Sequence, residues 1–416
     1  MSTPSNITEA NKFVKKLQLT QAECMQILTK ARGTQTDLQI KEFKLVPHSY
    51  PNGFLGEYYD LYVLYNIAGC GENENLTVRR ELLTFQAFVK SIPQASMEPE
   101  KEAIFLKEAT LYGTLLERLQ KYSTASWSPR CFYTHDDLIV LEHLELADYR
   151  LCPNPDEYIS DINLRQVLRG LATQHACCLA LEQKENISLG DSCPLLQLEI
   201  TVSPTVPWYT NGLQAILAVI QTQLSGESAE LKAKIEARLP STIESVYDMT
   251  NRSSKYRNVL CHRDIWRGNI FYRVNDEEAA ALFVDYQTAR YCPPAIDLIF
   301  ALFMNLELTT RDAKEVEYLR FYYDCLQRNL IANGFAMTDI PISYGELLSS
   351  YEEFRPFGLL YRAIVTTILK VPREFVTAEY VHVARTASVL KLMAELPRFK
   401  KCLEERVKEI VTFFAK

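Results

Sequence analysis

The stretch that most limits how this chain can fold is residues 259–287. An apolar run, Val259-Leu-Cys261, enters the polar loop His262-Arg-Asp-Ile-Trp-Arg-Gly-Asn269. β-Type residues follow at 270–274, then the turn Asn275-Asp-Glu-Glu278, then a further β run at 281–285 that ends on Asp285. A hairpin of this kind brings its two ends together, because Asn269 precedes its first strand and Asp285 ends its second. Asp264 stands five residues before Asn269. Oxygen donors from an amide and a carboxylate suit Mg²⁺, which takes hard ligands and keeps several waters. A further carboxylate beside them suits removal of a proton from a hydroxyl. The pattern is therefore that of phosphoryl transfer, with Asp264 as base and Asn269 and Asp285 holding the metal.

The rest of the 416 residues arranges itself around that segment. Residues 7–32 read as a helical pair. Phe43-Lys-Leu-Val46, residues 58–65 and residues 82–89 alternate β-branched and aromatic residues between turn-formers, which predicts an antiparallel meander. A helix is expected over 100–120, then strands at 131–134 and 138–142, then a connector at 143–149. Beyond it the pattern is mainly helical, with Asp161 expected to cap a long helix to about Leu181. The expected fold is α+β: a small antiparallel β-rich N-terminal lobe, residues 1–146, and a larger α-helical lobe, residues 147–416, that carries the hairpin.

Composition excludes several classes. Hydrophobic residues at 47% and charged residues at 23% are those of an ordinary globular chain. A net charge of −7 gives no global reason to hold nucleic acid or an anionic membrane. The 11 cysteines are odd in number and form no C-x-x-C pair, which reads as reduced thiols in a reducing compartment. The N-terminal residues lack the apolar core of a signal peptide, and no apolar run reaches the roughly 18 residues of a membrane span. A soluble, cytoplasmic protein is expected, with no obligate protein partner.

A kinase also needs a cation for the nucleotide phosphates. Lys90 ends the third strand run, inside apolar surroundings where a charge is costly unless paired. Glu108 follows 18 residues later on the next helix and is its expected partner. No G-x-G-x-x-G or G-x-x-x-x-G-K-[ST] occurs. The turn Pro51-Asn-Gly53-Phe-Leu-Gly56 is the best candidate cradle, since Gly53 and Gly56 let backbone N–H groups approach phosphate.

Together these residues resemble the ecdysteroid-kinase-like family, in the choline-kinase/aminoglycoside-phosphotransferase branch of the protein-kinase-like fold. The resemblance rests on Gly53-Phe-Leu-Gly56, Val89-Lys90-x-x-Pro93, Phe105-x-x-Glu108-x-x-x-Tyr112, Val140-Leu-Glu142 and Leu171-Ala-x-x-His175-Ala. It continues through Val259-Leu-Cys-His262-x-Asp264-x-Trp266-x-x-Asn269, Val284-Asp285-Tyr-Gln287 and Asp297-Leu298. It implies an ATP- and Mg²⁺-dependent kinase of small-molecule alcohols: ecdysteroids, or xenobiotic alcohols and glycosides. Asp264 would be the base and Asn269 and Asp285 the metal ligands, with Lys90, Glu108, Gly53, Gly56 and Glu142 serving the nucleotide. His262 and Asp297 would support the catalytic loop. Two positions depart from the pattern. Arg263 stands where glycine is frequent, and His143 stands where an acidic residue often follows Glu142.

A protein kinase is excluded by spacing. Asp297 follows Asp285 by only twelve positions, with no room for an activation segment. The acceptor pocket must come from the later helices, where Tyr322, Tyr323, Tyr351, Phe354, Phe357 and Tyr361 either line a hole or fill the core. His175 reads as a satisfied core histidine, and Trp266 as a wall of the substrate site or as core, with core favoured. Two other readings remain: a non-catalytic pseudokinase that binds nucleotide or ligand, and a choline- or aminoglycoside-type kinase with Glu352, Glu353 and Glu374 facing a cation.

Overall fold

The computed structural model describes residues 19–33, 38–48, 56–67, 82–92, 99–152 and 158–416. The chain divides into two compact units, one of residues 1–118 with 128–149 and the other of residues 119–127 with 150–416. The expected single boundary at 146/147 gives way to one at 149/150, and residues 119–127 join the second unit.

The first unit is built on helix α1 (Gln21–Arg32) and a five-stranded sheet of β1 (Leu38–Pro47), β2 (Glu57–Ile67), β3 (Leu82–Ser91), β4 (Cys131–His135) and β5 (Leu138–Glu142). The sheet order is β1-β2-β3-β5-β4, and every pairing is antiparallel. The meander expected from the alternating residues is thus present. In α1, Cys24, Ile27 and Leu28 fall on one helical face and pack with Leu61, Val63, Ala87, Val89 and Val140. Thr20 and Glu23 cap the helix reciprocally, and Gly33 ends it at φ 69°. The expected helix over 100–120 forms as α2 (Pro99–Thr110), a π-turn (Leu111–Leu115) and α3 (Leu116–Gln120).

The second unit is mainly helical: α4 (Asp161–Glu185), α5 (Leu189–Ser192), α6 (Pro207–Leu224), α7 (Ala229–Met249), α8 (Ala295–Asn305), α9 (Leu308–Ala332), α10 (Tyr344–Leu369), α11 (Ala378–His382), α12 (Thr386–Glu395) and α13 (Pro397–Ala415). Ser160, not Asp161, caps α4 by accepting from Asn163 N–H at 3.2 Å. Asp161 sits in the first turn, where it accepts from Arg165, Tyr318 and Lys314. The short strand β6 is Tyr149–Leu151. Strands β7 (Val259–Cys261), β8 (Ile270–Arg273), β9 (Leu282–Phe283) and β10 (Arg290–Cys292) form the β island. β8 pairs with β9 as a hairpin, and β7 pairs with β10, a strand that sequence reading missed. The third β run is shorter than expected because Asp285 takes φ 71°, which turns the chain out of the ladder.

Among the described residues ten cysteines are free, and no helix is long and apolar enough to cross a membrane.

Candidate active site

In the first unit the β2–β3 register sets Tyr58 opposite Lys90, and β3–β5 sets Ile139 opposite it on the other side. Lys90 is therefore in the middle of the sheet and buried. Its Nζ donates to Glu108 Oε2 of α2 at 2.6 Å, and both side chains are almost wholly removed from water. Such a pair persists because each charge offsets the other's desolvation. Gly56 packs directly on this lysine, where a Cβ would lie 3.3 Å from both its Cγ and its Cε. Gly53 lies outside the described residues. Glu142 ends β5 and accepts from the Arg130 N–H at 3.3 Å. His143 turns its Nε2 toward Asp60 Oδ1 at 3.4 Å, so the departure at this position is matched by a carboxylate on β2.

In the second unit the loop after β7 is held from several directions. Asp297, in the first turn of α8 and fully buried, accepts from the His262 N–H at 2.8 Å and the Arg263 N–H at 2.7 Å. Behind it His175 of α4 lies 3.2 Å from Asp297 and 2.7 Å from the Tyr322 hydroxyl, the satisfied core histidine expected. Thr288 donates to the His262 carbonyl at 2.9 Å, and Asn305 Nδ2 to the Ile265 carbonyl at 2.9 Å. The His262 ring bridges two segments. Asp264 N–H donates to its Nδ1 at 3.2 Å, which leaves Nε2–H to donate to the Val284 carbonyl at 2.9 Å. That tautomer is neutral, and burial pushes the imidazole pKa down, in keeping with a tether and not a base. Thr288 and Asn305 carried no signal in the sequence, because a lone hydroxyl or amide has no pattern until the fold is known.

The chemistry converges on Asp264. Asn269 Nδ2 donates to its Oδ2 at 2.8 Å and to its carbonyl at 3.1 Å. The Val284 N–H bonds the Asn269 carbonyl at 3.1 Å, which ties the loop to the residue before Asp285. Burial, and then the negative charge of Asp285, push the Asp264 carboxyl up to about 7, against hydrogen bonds from Asn269 and Trp266 and the charge of Arg263. Trp266 is not core. It is half-buried, hydrogen-bonds Asp264, and covers Gly268, where a Cβ would come within 2.3 Å of the ring.

The donor set fits Mg²⁺. With Nδ2 spent on Asp264, Asn269 keeps Oδ1 as a hard ligand, and Asp285 adds a carboxylate. The repulsion between Asp264 and Asp285 is what a divalent cation would relieve. The six aromatic residues of the later helices are all buried. Tyr361 is the one that Asp264 itself affects: burial and then Asp264 push its phenol up, and its ring meets that of half-buried Trp208 edge-on at 5.9 Å.

No match is found among curated proteins. Three solved structures are similar in outline. The microcompartment-associated aminopropanol kinase is 13% identical, with 88% of this chain and 97% of that one covered and a TM-score of 0.44. Macrolide 2'-phosphotransferase MphH from Brachybacterium faecium is 14% identical over 83% and 92%, with a TM-score of 0.34. Choline kinase LicA from Streptococcus pneumoniae is 12% identical over 90% and 99%, with a TM-score of 0.38. Residues 75–335, which span Lys90 through Asp297, match the Ecdysteroid kinase-like family, and the chain belongs to that family.

Proposed function

We propose that this protein is a small-molecule kinase that transfers the γ-phosphoryl group of ATP to a hydroxyl of a largely apolar acceptor, an ecdysteroid or a xenobiotic alcohol or glycoside. The observation that carries the reading is the Asp264–Asn269–Asp285 arrangement, in which Asn269 bonds the Asp264 carboxylate at 2.8 Å and is tied through Val284 to the residue before Asp285. Asp264 accepts the acceptor's proton as the new O–P bond forms, and the bridging oxygen leaves with the diphosphate. Asn269 and Trp266 orient the carboxylate, and His262 holds the loop without taking the proton. Asn269 Oδ1 and Asp285 would hold Mg²⁺, which when bound neutralises charge on the phosphates. Lys90, fixed by Glu108, serves the nucleotide phosphates.

The Trp208–Tyr361 ring pair beside the charge of Asp264 offers apolar surface for such an acceptor. Glu352 is engaged by Arg355 at 2.6 Å, and Glu353 by Tyr256 at 2.7 Å and by Lys255. Both carboxylates are thus already matched by cations of this chain, while Glu374, the third candidate, is exposed.

The test is a Mg²⁺/ATP turnover screen over ecdysteroids and plant-type phenolic glucosides, read by mass as a phosphate adduct. An adduct on a steroid or glucoside hydroxyl is expected. ATP-dependent thermal stabilisation with no adduct across the panel would favour the pseudokinase reading.

A further inference from the structure

Arg263, the residue before the candidate base, stands at φ 65°, in the left-handed region where a side chain is strained and glycine is not. It is nonetheless fully buried. What keeps it there is Glu199, in the irregular segment before α6. Arg263 Nη1 donates to Glu199 Oε2 at 2.7 Å, and Nη2 reaches Thr201 Oγ1 at 3.5 Å. Arg290 of β10 donates to the same oxygen at 2.5 Å and also to the Gln197 carbonyl at 2.7 Å. The other oxygen of Glu199 accepts from Thr201 N–H, Thr201 Oγ1 and Val202 N–H, each at 2.8 Å. Thr250 adds a bond to Oε2 at 3.1 Å. Burial pushes this carboxyl up, but the two guanidinium groups and the backbone amides outweigh it and hold the carboxyl well below the usual range.

One carboxylate therefore serves two buried arginines and is itself fixed to a turn. We propose that Glu199 is a positioning residue of the phosphotransfer site: it anchors Arg263, and through Arg263 the backbone of Asp264. This rests on the kinase reading above. Asp297 grips the loop through its backbone N–H groups, and Glu199 grips it through the side chain of the same residue. Where a kinase loop is switched, an arginine's counter-ion is a phosphate added to a mobile segment. Here the counter-ion is built in, so the loop is set without modification.

Without the Glu199 charge, Arg263 must find water, and its strained backbone moves with it. E199Q should lower kcat by about tenfold to a hundredfold, the scale of a roughly 1 Å misplacement, while the KM for ATP changes less than about twofold. It should also lower the melting temperature. Adding R263G removes the stranded cation and supplies the residue that φ 65° prefers. The double variant E199Q/R263G should regain most of the lost kcat, yet not the melting temperature, since Arg290 still faces a neutral amide. A purely structural role would make kcat follow the melting temperature. An E199Q enzyme with wild-type kcat, or a double variant no faster than E199Q, would overturn the proposal. If E199Q does not fold, E199D, which keeps the charge but shortens the reach, should show the same loss and the same rescue by R263G. Amide hydrogen exchange at residues 263 and 264 judges the anchor with no acceptor present. Faster exchange in E199Q, reversed by R263G, upholds it even if the wild type phosphorylates nothing, in which case only the kinase reading falls. Unchanged exchange in E199Q overturns it.

Discussion

The two units immobilise a functional charge in opposite ways. In the first, Lys90 depends on a buried ion pair with Glu108 at 2.6 Å. In the second, Asp264 is held through its loop by Asp297, Thr288, Asn305 and His262, whose bonds to backbone groups come from four separate positions. The Lys90 charge is neutralised where it stands. The Asp264 charge is not: after burial the largest influence on it is the charge of a second carboxylate. Concentrated anchoring makes a lesion severe. Distributed anchoring makes lesions graded, and frees the anchored group to keep an unfavourable charge that a cation or a proton can use.

The sharpest test of that contrast is D264N. Turnover should fall by about 10²–10⁴-fold, the usual worth of a general base. ATP should still raise the melting temperature, because Asp264 is assigned to the acceptor and not to the nucleotide. The metal-free variant should also melt higher than wild type, because the repulsion from Asp285 is gone. A lower melting temperature would mean that Asp264 stabilises the loop and that the charge is not held at a cost.

E108L tests the other side. It removes the carboxylate that lies 2.6 Å from the buried Lys90 ammonium and should cost about 3–5 kcal/mol in denaturant unfolding. The double variant K90M/E108L should recover most of that stability while remaining inactive, since a well-packed apolar pair can replace a buried ion pair at little cost. If E108L alone unfolds no more easily than wild type, the pair is not what holds Lys90, and the contrast between the units fails.

Much of this arrangement was legible in the sequence, and the reason differs between its parts. Lys90 and Glu108 stood out because a charge in an apolar strand run demands a partner. His262, Asp264, Asn269 and Asp285 stood out because oxygen donors at fixed spacing around a hairpin have a chemical purpose. Asp297 bonding the loop backbone, and His175 satisfied in the core, followed from their places on apolar helices. Three things were not legible. Trp266 was open between a wall of the substrate site and core, with core favoured, because a lone tryptophan suits both; here its side chain bonds the carboxylate two residues earlier. Strand β10 was missed because Arg290-Tyr-Cys292 is only three residues long and its partner lies about thirty residues back. Glu199 was missed because it has no periodicity and no motif. Its value comes from Arg263 and Arg290, each distant in sequence, and only the folded chain brings them to one carboxylate.

D297N falls between the extremes. An amide can still accept one of the two backbone N–H bonds but loses the charge that strengthens both. A charge-assisted bond is worth about 1.5–3 kcal/mol, so a loss on that order in unfolding free energy is expected, with a fall in kcat larger than the change in the KM for ATP. Equal changes in both parameters would place Asp297 outside the loop's positioning.

T288V is the smallest and the most discriminating change. Valine keeps the shape of threonine and removes one hydroxyl, which donates to the His262 carbonyl at 2.9 Å. If anchoring in the second unit is distributed, this single loss should cost about 1 kcal/mol in unfolding and only a few-fold in kcat, because Asp297, Asn305 and the His262–Val284 bond still define the loop. Combined with D297N, it should cost more than the sum of the two, since each bond compensates for the other when one is missing. Strict additivity in that double-mutant cycle would mean that the bonds act independently. The loop would then be a set of separate tethers, and its tolerance of the Asp264–Asp285 repulsion would need another source.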